Sequence, residues 1–218
     1  MENFIYPELL KKFNIVSIFT KKKFDIKKFF EQYQLYLPIQ KHTDKVIVFE
    51  RNIPHIADAV ITNKKGMFIG VKVADCLPIL LYDPTEEVVA AVHAGWRGTA
   101  MGILKKTIKK MQEIFNCQSK NIFIAMGPSI KGCCYEVGQE VIEALKVQTS
   151  SDEYVKSFNG KKHVDLALAN QIQALSMGVN IENIWISQDC TYCNYERYAS
   201  YRFYGKEAGR QYGIIGML

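Results

Sequence analysis

Histidine is scarce in this chain, with four among 218 residues, at positions 42, 55, 93 and 163. Any metal chemistry that relies on imidazole is therefore confined to one small site. Also missing is an apolar run near the roughly 20 residues that a membrane-spanning helix needs. The opening MENFIYPELLKKF lacks the basic, then apolar, then small-residue order of a secretory leader. These absences predict a cytoplasmic protein with no membrane partner. In that reducing setting its six cysteines are expected as thiols or ligands rather than bridges. No repeat, low-complexity tract or linker divides the sequence, so residues 1–218 read as one domain, long enough to bury a core.

What is present is ordinary for a globular protein: 48% hydrophobic and 23% charged residues. The net charge of +6 comes from lysines scattered in short groups such as Lys21 to Lys23, Lys105-Lys106 and Lys109-Lys110. That scatter describes a solvated surface with mild attraction for phosphorylated or nucleotide ligands, and it argues against a dedicated nucleic-acid binder. Apolar runs predict strands at 15–20, 35–39, 45–49, 59–62, 67–73, 77–82, 88–92, 121–126 and 183–187. Helical periodicity predicts helices at 24–33, 98–115, 135–147 and 164–177, with Phe24, Ile26, Phe29 and Phe30 partly on one face of the first. Strands and helices mix without regular βαβ alternation, which gives an α/β (α+β) fold of layered mixed sheets flanked by helices.

The stretch 73–99, VADCLPILLYDPTEEVVAAVHAGWRGT, concentrates the chemistry. Two buried strands separated by an Asp83-Pro84 turn would bring Cys76, which opens the first, to the same end as His93, which closes the second. The glycines of Ala94-Gly95-Trp96-Arg97-Gly98 then let the backbone turn tightly and present Arg97. Arg97 precedes the 98–115 helix, whose N-terminus could help hold an anion, and the turn 127–130 would bring Ser129 to the same rim. His42, at another strand end, completes two nitrogens and one sulfur, a catalytic zinc set with the fourth position open. His55 and His163, beside proline and lysines, read as surface residues. Cys117 reads as structural. Cys133-Cys134 and the Cys190/Cys193 pair could in principle share a structural zinc, but adjacent cysteines have poor ligand spacing and no redox motif surrounds them, so no second site is expected.

The motifs Gln40-Lys41-His42-Thr43, Asp58-Ala59-Val60-Ile61-Thr62, Val73-Ala74-Asp75-Cys76-Leu77-Pro78 and His93-Ala94-Gly95-Trp96-Arg97-Gly98 are joined, in order, by several others. These are Gly127-Pro128-Ser129-Ile130, Cys134-Tyr135-Glu136-Val137-Gly138, Val164-Asp165-Leu166, Cys190-Thr191 and Ser200-Tyr201-Arg202. From about Gln40 onward the chain thus resembles the multicopper polyphenol oxidase (laccase-domain) family, the group now treated as purine nucleoside phosphorylases; the first 35 or so residues carry little of the likeness. The resemblance implies layered sheets flanked by helices and a metal on His42, Cys76 and His93. It also implies phosphorolysis of adenosine, inosine, guanosine and methylthioadenosine, with adenosine deamination as a second activity. Purine nucleosides and phosphate are then the partners. Four histidines are too few for a trinuclear copper cluster beside a His₂Cys centre, so a conventional multicopper laccase cannot be assembled. Zinc is the expected metal, and a single copper site is the other option.

Within that reading, Arg97 and Arg202 suit a phosphate because guanidinium grips it with two prongs, although Arg202 could equally be a structural ion pair. Gln40 and Ser129 join them as expected substrate or phosphate contacts. Asp75 is the nearest carboxylate for proton transfer, with Asp58 as a second candidate. The H-x-E and P-C-x-x-C pattern of cytidine-type deaminases is absent. Two other readings stay open. One is a metal-independent cysteine hydrolase or deamidase using a Cys76–His93 dyad, and the other is a copper-dependent polyphenol oxidase. His42 discriminates the first of these, because a dyad can work without it.

Overall fold

The computed structural model describes residues 3–29, 31 and 33–218. Its centre is a six-stranded sheet in the order Ile184–Ile186, Phe123–Met126, Leu77–Asp83, Val88–Ala94, Ala59–Thr62, Val46–Val48. The two middle strands are the apolar runs of the 73–99 stretch, and every residue in both is buried. They pair antiparallel, with Pro78 opposite His93 and Leu77 opposite Ala94. Cys76 and His93 therefore do meet at one end. A second sheet, ordered Phe4–Ile5, Ile15–Thr20, Gln211–Met217, Met67–Val73, Gln34–Tyr36, lies against the first.

Burial on both faces explains why these strands read as continuous apolar runs rather than alternating ones. Within each strand, successive side chains still point to opposite layers. Leu80, Val89 and Ala91 face the second sheet and pack with Phe19, Ile69, Val71 and Ile215. Ile79, Leu81, Ala90 and Val92 face outward onto Ile103, Ile108 and Met111 of the helix Ile103–Phe115 and onto Ala167 and Ala174 of the helix Leu166–Ser176. The result is the expected layered α/β arrangement of mixed sheets flanked by helices.

Several elements differ from the sequence expectation. The helix expected at 98–115 is two helices, Trp96–Ala100 and Ile103–Phe115, because Gly102 between them adopts a left-handed conformation at φ 72°. The end of the long helix is thus one turn removed from Arg97, which sits inside the short one. The segment 24–33 is helical only over Ile26–Phe29, where Asp25 Oδ1 accepts from the backbone N–H groups of Lys27 and Lys28; Phe30 lies outside the described residues. The third helix begins at Gln139 rather than 135. His163 is buried, not surface, because its strand Lys161–Val164 folds back on Val155–Phe158 and its ring meets Phe158 edge-on. That hairpin, the short helix Tyr201–Tyr204 and the strand Gln211–Met217 carry too little apolar periodicity to be anticipated.

Two glycines make room for the buried ring of Phe19. Gly127 and Gly213 both abut its ring, and Trp185 stacks on it at 6.1 Å. A methyl group at Gly127 would overlap the buried ring, so Gly127→Ala should destabilise by about 1–3 kcal/mol, as other overpacked cores do. In a denaturant double-mutant cycle with Phe19→Leu the two losses should fall short of additive, because the smaller side chain vacates the space. Strict additivity would disprove the contact as the cause.

Candidate active site

The site grows from one buried carboxylate. Asp58, fully buried just ahead of the strand Ala59–Thr62, accepts from the backbone N–H groups of Lys41 (3.2 Å), His42 (3.0 Å) and Thr43 (2.7 Å), and from Thr43 Oγ1 (2.8 Å). It also accepts from His93 Nδ1 at 2.7 Å. Burial alone would raise its carboxyl, but the hydrogen bonds from His93, Thr43 and Lys41 together outweigh it and hold Asp58 well below the usual carboxylate range. Asp58 is therefore the anion that receives the His93 Nδ1 proton, leaving Nε2 as the free lone pair. The second candidate for proton transfer thus lies fully buried and outside the cavity lining.

His42 Nε2 lies 3.9 Å from Cys76 Sγ, and the His42 and His93 rings meet edge-on at 4.8 Å. All three possible donor atoms fall within 4.8 Å of one another. Burial would push the Cys76 thiol up, yet the hydrogen bonds and charge of His42 and His93 bring it down to about 6. Burial likewise works against charge on His93, but Asp58 and Cys76 raise it to about 9. Each of the two groups thus favours the charged form of the other across the end of the strand pair. The donor set of two imidazoles and one thiolate fits zinc or copper, which His42, Cys76 and His93 would hold. Gly95 explains the first glycine of the HAGWRG run, since a Cβ there would come within 3.0 Å of Cys76 Sγ and 3.2 Å of a His42 ring carbon.

The three residues line a cavity of about 450 Å³ that also exposes Gln40, Lys72, Asp75, Ile130, Tyr135, Tyr201, Arg202 and Arg210. Asp75, at φ 77°, accepts from Thr191 Oγ1 and from the Arg202 backbone N–H, each at 2.6 Å. The Arg202 guanidinium donates to the Glu136 carbonyl at 3.2 Å and rests over the Tyr135 ring at 5.3 Å, so it is held by a carbonyl and an aromatic face rather than by a carboxylate. Gln40 is committed by its amide to both backbone groups of Lys72. Ser129 is fully buried, and its neighbour Ile130 reaches the cavity instead, so the turn does not bring Ser129 to the rim. Arg97 is exposed, stacks on Trp96 at 4.4 Å and lies outside the cavity lining, although its charge reaches Tyr135. Lys72, Tyr135 and Arg210 are site residues that sequence reasoning misses. Tyr135 alone has a signal, its place in the Cys134-Tyr135-Glu136 motif.

Known proteins share this fold and much of this sequence. The family model described as multi-copper polyphenol oxidoreductase laccase matches residues 22–218, starting ahead of the first legible motif at Gln40. A purine nucleoside phosphorylase of Aquifex aeolicus is 39% identical over 193 residues, 88% of this chain and 87% of that protein. Adenosine deaminase RL5, from an unknown prokaryotic organism, is 36% identical over 196 residues, 82% of this chain and 73% of its own. In fold, the chain matches the crystal structure of Bacillus licheniformis YfiH with a TM-score of 0.90 at 22% identity over all of both chains. It matches YlmD from Geobacillus stearothermophilus with a TM-score of 0.88 at 24% identity, over 94% of this chain and 92% of that one.

Asp58→Asn tests how the imidazoles are held. The amide cannot serve all five donors, so His93 loses its fixed tautomer and the residues 41–43 loosen. Zinc affinity, measured by competition with a chromophoric chelator, should fall about 10- to 100-fold. An unchanged affinity would show that His93 is oriented by something other than Asp58.

Proposed function

Because the chain belongs to the multi-copper polyphenol oxidoreductase laccase family, we propose that it is a zinc-dependent purine nucleoside phosphorylase with adenosine deamination as a second activity. Adenosine, inosine, guanosine and methylthioadenosine are its proposed substrates, and base plus ribose 1-phosphate the products. The reading rests on one observation above the others: two imidazoles and a thiolate converge at one wall of a cationic, nucleoside-sized cavity. Curated relatives carrying the names purine nucleoside phosphorylase and adenosine deaminase support it. His42, Cys76 and His93 would hold the ion, which when bound supplies Lewis acidity at that wall.

The chain's own residues do the rest. Arg202, propped by Tyr135 and Glu136, faces the cavity with Arg210 and Lys72 near it. Together they suit a phosphate presented to the ribose C1′, where positive charge develops as the base departs. Arg97 serves as an outer arm for the incoming anion. Asp75 is the carboxylate on the cavity wall; its two accepting contacts orient it, and it is the residue assigned to proton transfer. Gln40 shapes the nucleoside end through its hold on Lys72. No helix of the described residues is long and apolar enough to cross a membrane, and the protein is proposed to act in the cytoplasm.

A second reading has its own observation. Cys76, His93 and Asp58 line up as nucleophile, base and orienting acid, the arrangement of a cysteine hydrolase. Chelation separates the two. With inosine and phosphate, the enzyme should release hypoxanthine and ribose 1-phosphate, and adenosine without phosphate should give inosine; both activities should vanish on chelation and return with zinc. Turnover that survives chelation but not thiol alkylation would establish the hydrolase instead.

Arg202→Ala should keep its zinc yet lose about 10²- to 10³-fold in phosphorolysis, the usual cost of removing a donor aimed at developing charge. Arg97→Ala should raise the KM for phosphate more than it lowers kcat. Phosphate kinetics identical to wild type would remove either arginine from its role.

A further inference from the structure

The sequence offers Cys133, Cys134, Cys190 and Cys193 as two unpromising pairs, one adjacent and one separated by two residues. The fold brings all four sulfurs within 4.8 Å of one another. We propose that these four cysteines hold a single structural zinc ion, separate from the His42, Cys76 and His93 set, that clamps together the two segments forming one wall of the cavity.

Geometry carries the proposal. Four sulfurs around one zinc, each at about 2.3 Å, sit about 3.8 Å apart along the edges of a tetrahedron. Here Cys133 Sγ is 3.8 Å from Cys193 Sγ, Cys134 Sγ is 3.5 Å from Cys133 Sγ, and Cys134 Sγ is 3.3 Å from Cys193 Sγ. Consecutive side chains diverge on an extended strand. Residues 132–134, however, form a turn in which the N–H groups of both Cys134 and Tyr135 bond the Lys131 carbonyl at 2.9 Å, and on that turn both thiols reach the same point. The Lys131 N–H points to Cys190 Sγ at 3.5 Å, a backbone donor of the kind that steadies a thiolate. A disulfide between Cys134 and Cys193 would account for two of the sulfurs and leave Cys133 and Cys190 without a reason to be there. A tetrathiolate accounts for all four.

The position gives the ion its role. The turn at 131–135 leads into Tyr135 and Glu136, which support the Arg202 guanidinium. The Cys190–Cys193 turn begins the segment that runs on to Tyr201 and Arg202, with Thr191 bonded to Asp75. About 60 residues of chain separate the two turns, and one ion would fix their spacing at a point next to the cavity.

Zinc counting by mass spectrometry tests this on the purified full chain. Wild type should carry about two zinc ions per chain, Cys193→Ser and Cys190→Ser about one each, and His42→Ala about one. If the catalytic-metal reading fails but this one holds, wild type carries one ion that Cys193→Ser loses and His42→Ala keeps, so the two failures are distinguishable. Should the serine variants not fold, cobalt-substituted wild type answers instead: a tetrathiolate site adds sulfur-to-cobalt charge-transfer absorption well beyond what the single Cys76 thiolate gives, and absorption no stronger than one thiolate's would overturn the proposal. Zinc content unchanged in Cys193→Ser, or a Cys134–Cys193 disulfide in zinc-free protein as purified, would overturn the proposal.

Discussion

A carboxylate with no access to water governs the geometry of this site. Asp58 gathers five donors, four from residues 41–43 and one from His93, and so fixes the distance between two imidazoles that lie 51 positions apart in the sequence. Taking an isolated charge out of water costs several kcal/mol. Only a full shell of hydrogen bonds to the charged form offsets that, and here the shell is complete. The arrangement is also unforgiving, because a donor lost from either segment leaves buried charge uncompensated. Asp58 never enters the cavity, yet where His42 and His93 stand depends on it.

A second aspartate performs the matching task on the other side of Cys76. Asp75 grips Thr191 and the backbone of Arg202, and its own carbonyl accepts from Ile130. His42 and Asp75 both have positive φ, at 57° and 77°, a conformation that costs non-glycine residues on the order of 1–3 kcal/mol and persists only where neighbours enforce it. In each case the enforcing contacts are the aspartate's own hydrogen bonds. Two such residues and the bonds that hold them thus flank the thiolate, while the strands behind it are fully packed.

Much of this is legible in the sequence, and the reason differs by element. The central strands are plain because burial on both faces demands unbroken apolar runs, and their order alone puts Cys76 and His93 at one end. The helix Ile103–Phe115 is legible from its apolar face, but its start is not, because nothing local says that Gly102 turns left-handed. The strand Gln211–Met217 is hidden because Gly213 and Gly216, needed to admit Phe19 and Phe68, remove the usual strand signal. Ser129 reads as a rim residue, whereas the chain turns one residue later and presents Ile130. The four-cysteine cluster depends on two turns remote in sequence, and spacing rules that look only along the chain cannot see it.

The two central strands also carry a liability before the protein has folded. LPILLYD and VVAAVHA are stretches of high β-propensity with little or no charge, the composition that stacks into intermolecular sheets when left exposed. Their outer partners in the native sheet come from distant parts of the chain, so they wait longer than local structure would for cover. Between them stands PTEE, a proline and two acidic residues in a four-residue turn that follows the strand-ending Asp83. In the folded protein that turn only joins two strands. In a nascent chain it acts as a gatekeeper, breaking what would otherwise be one long sticky segment into two short ones that repel their copies.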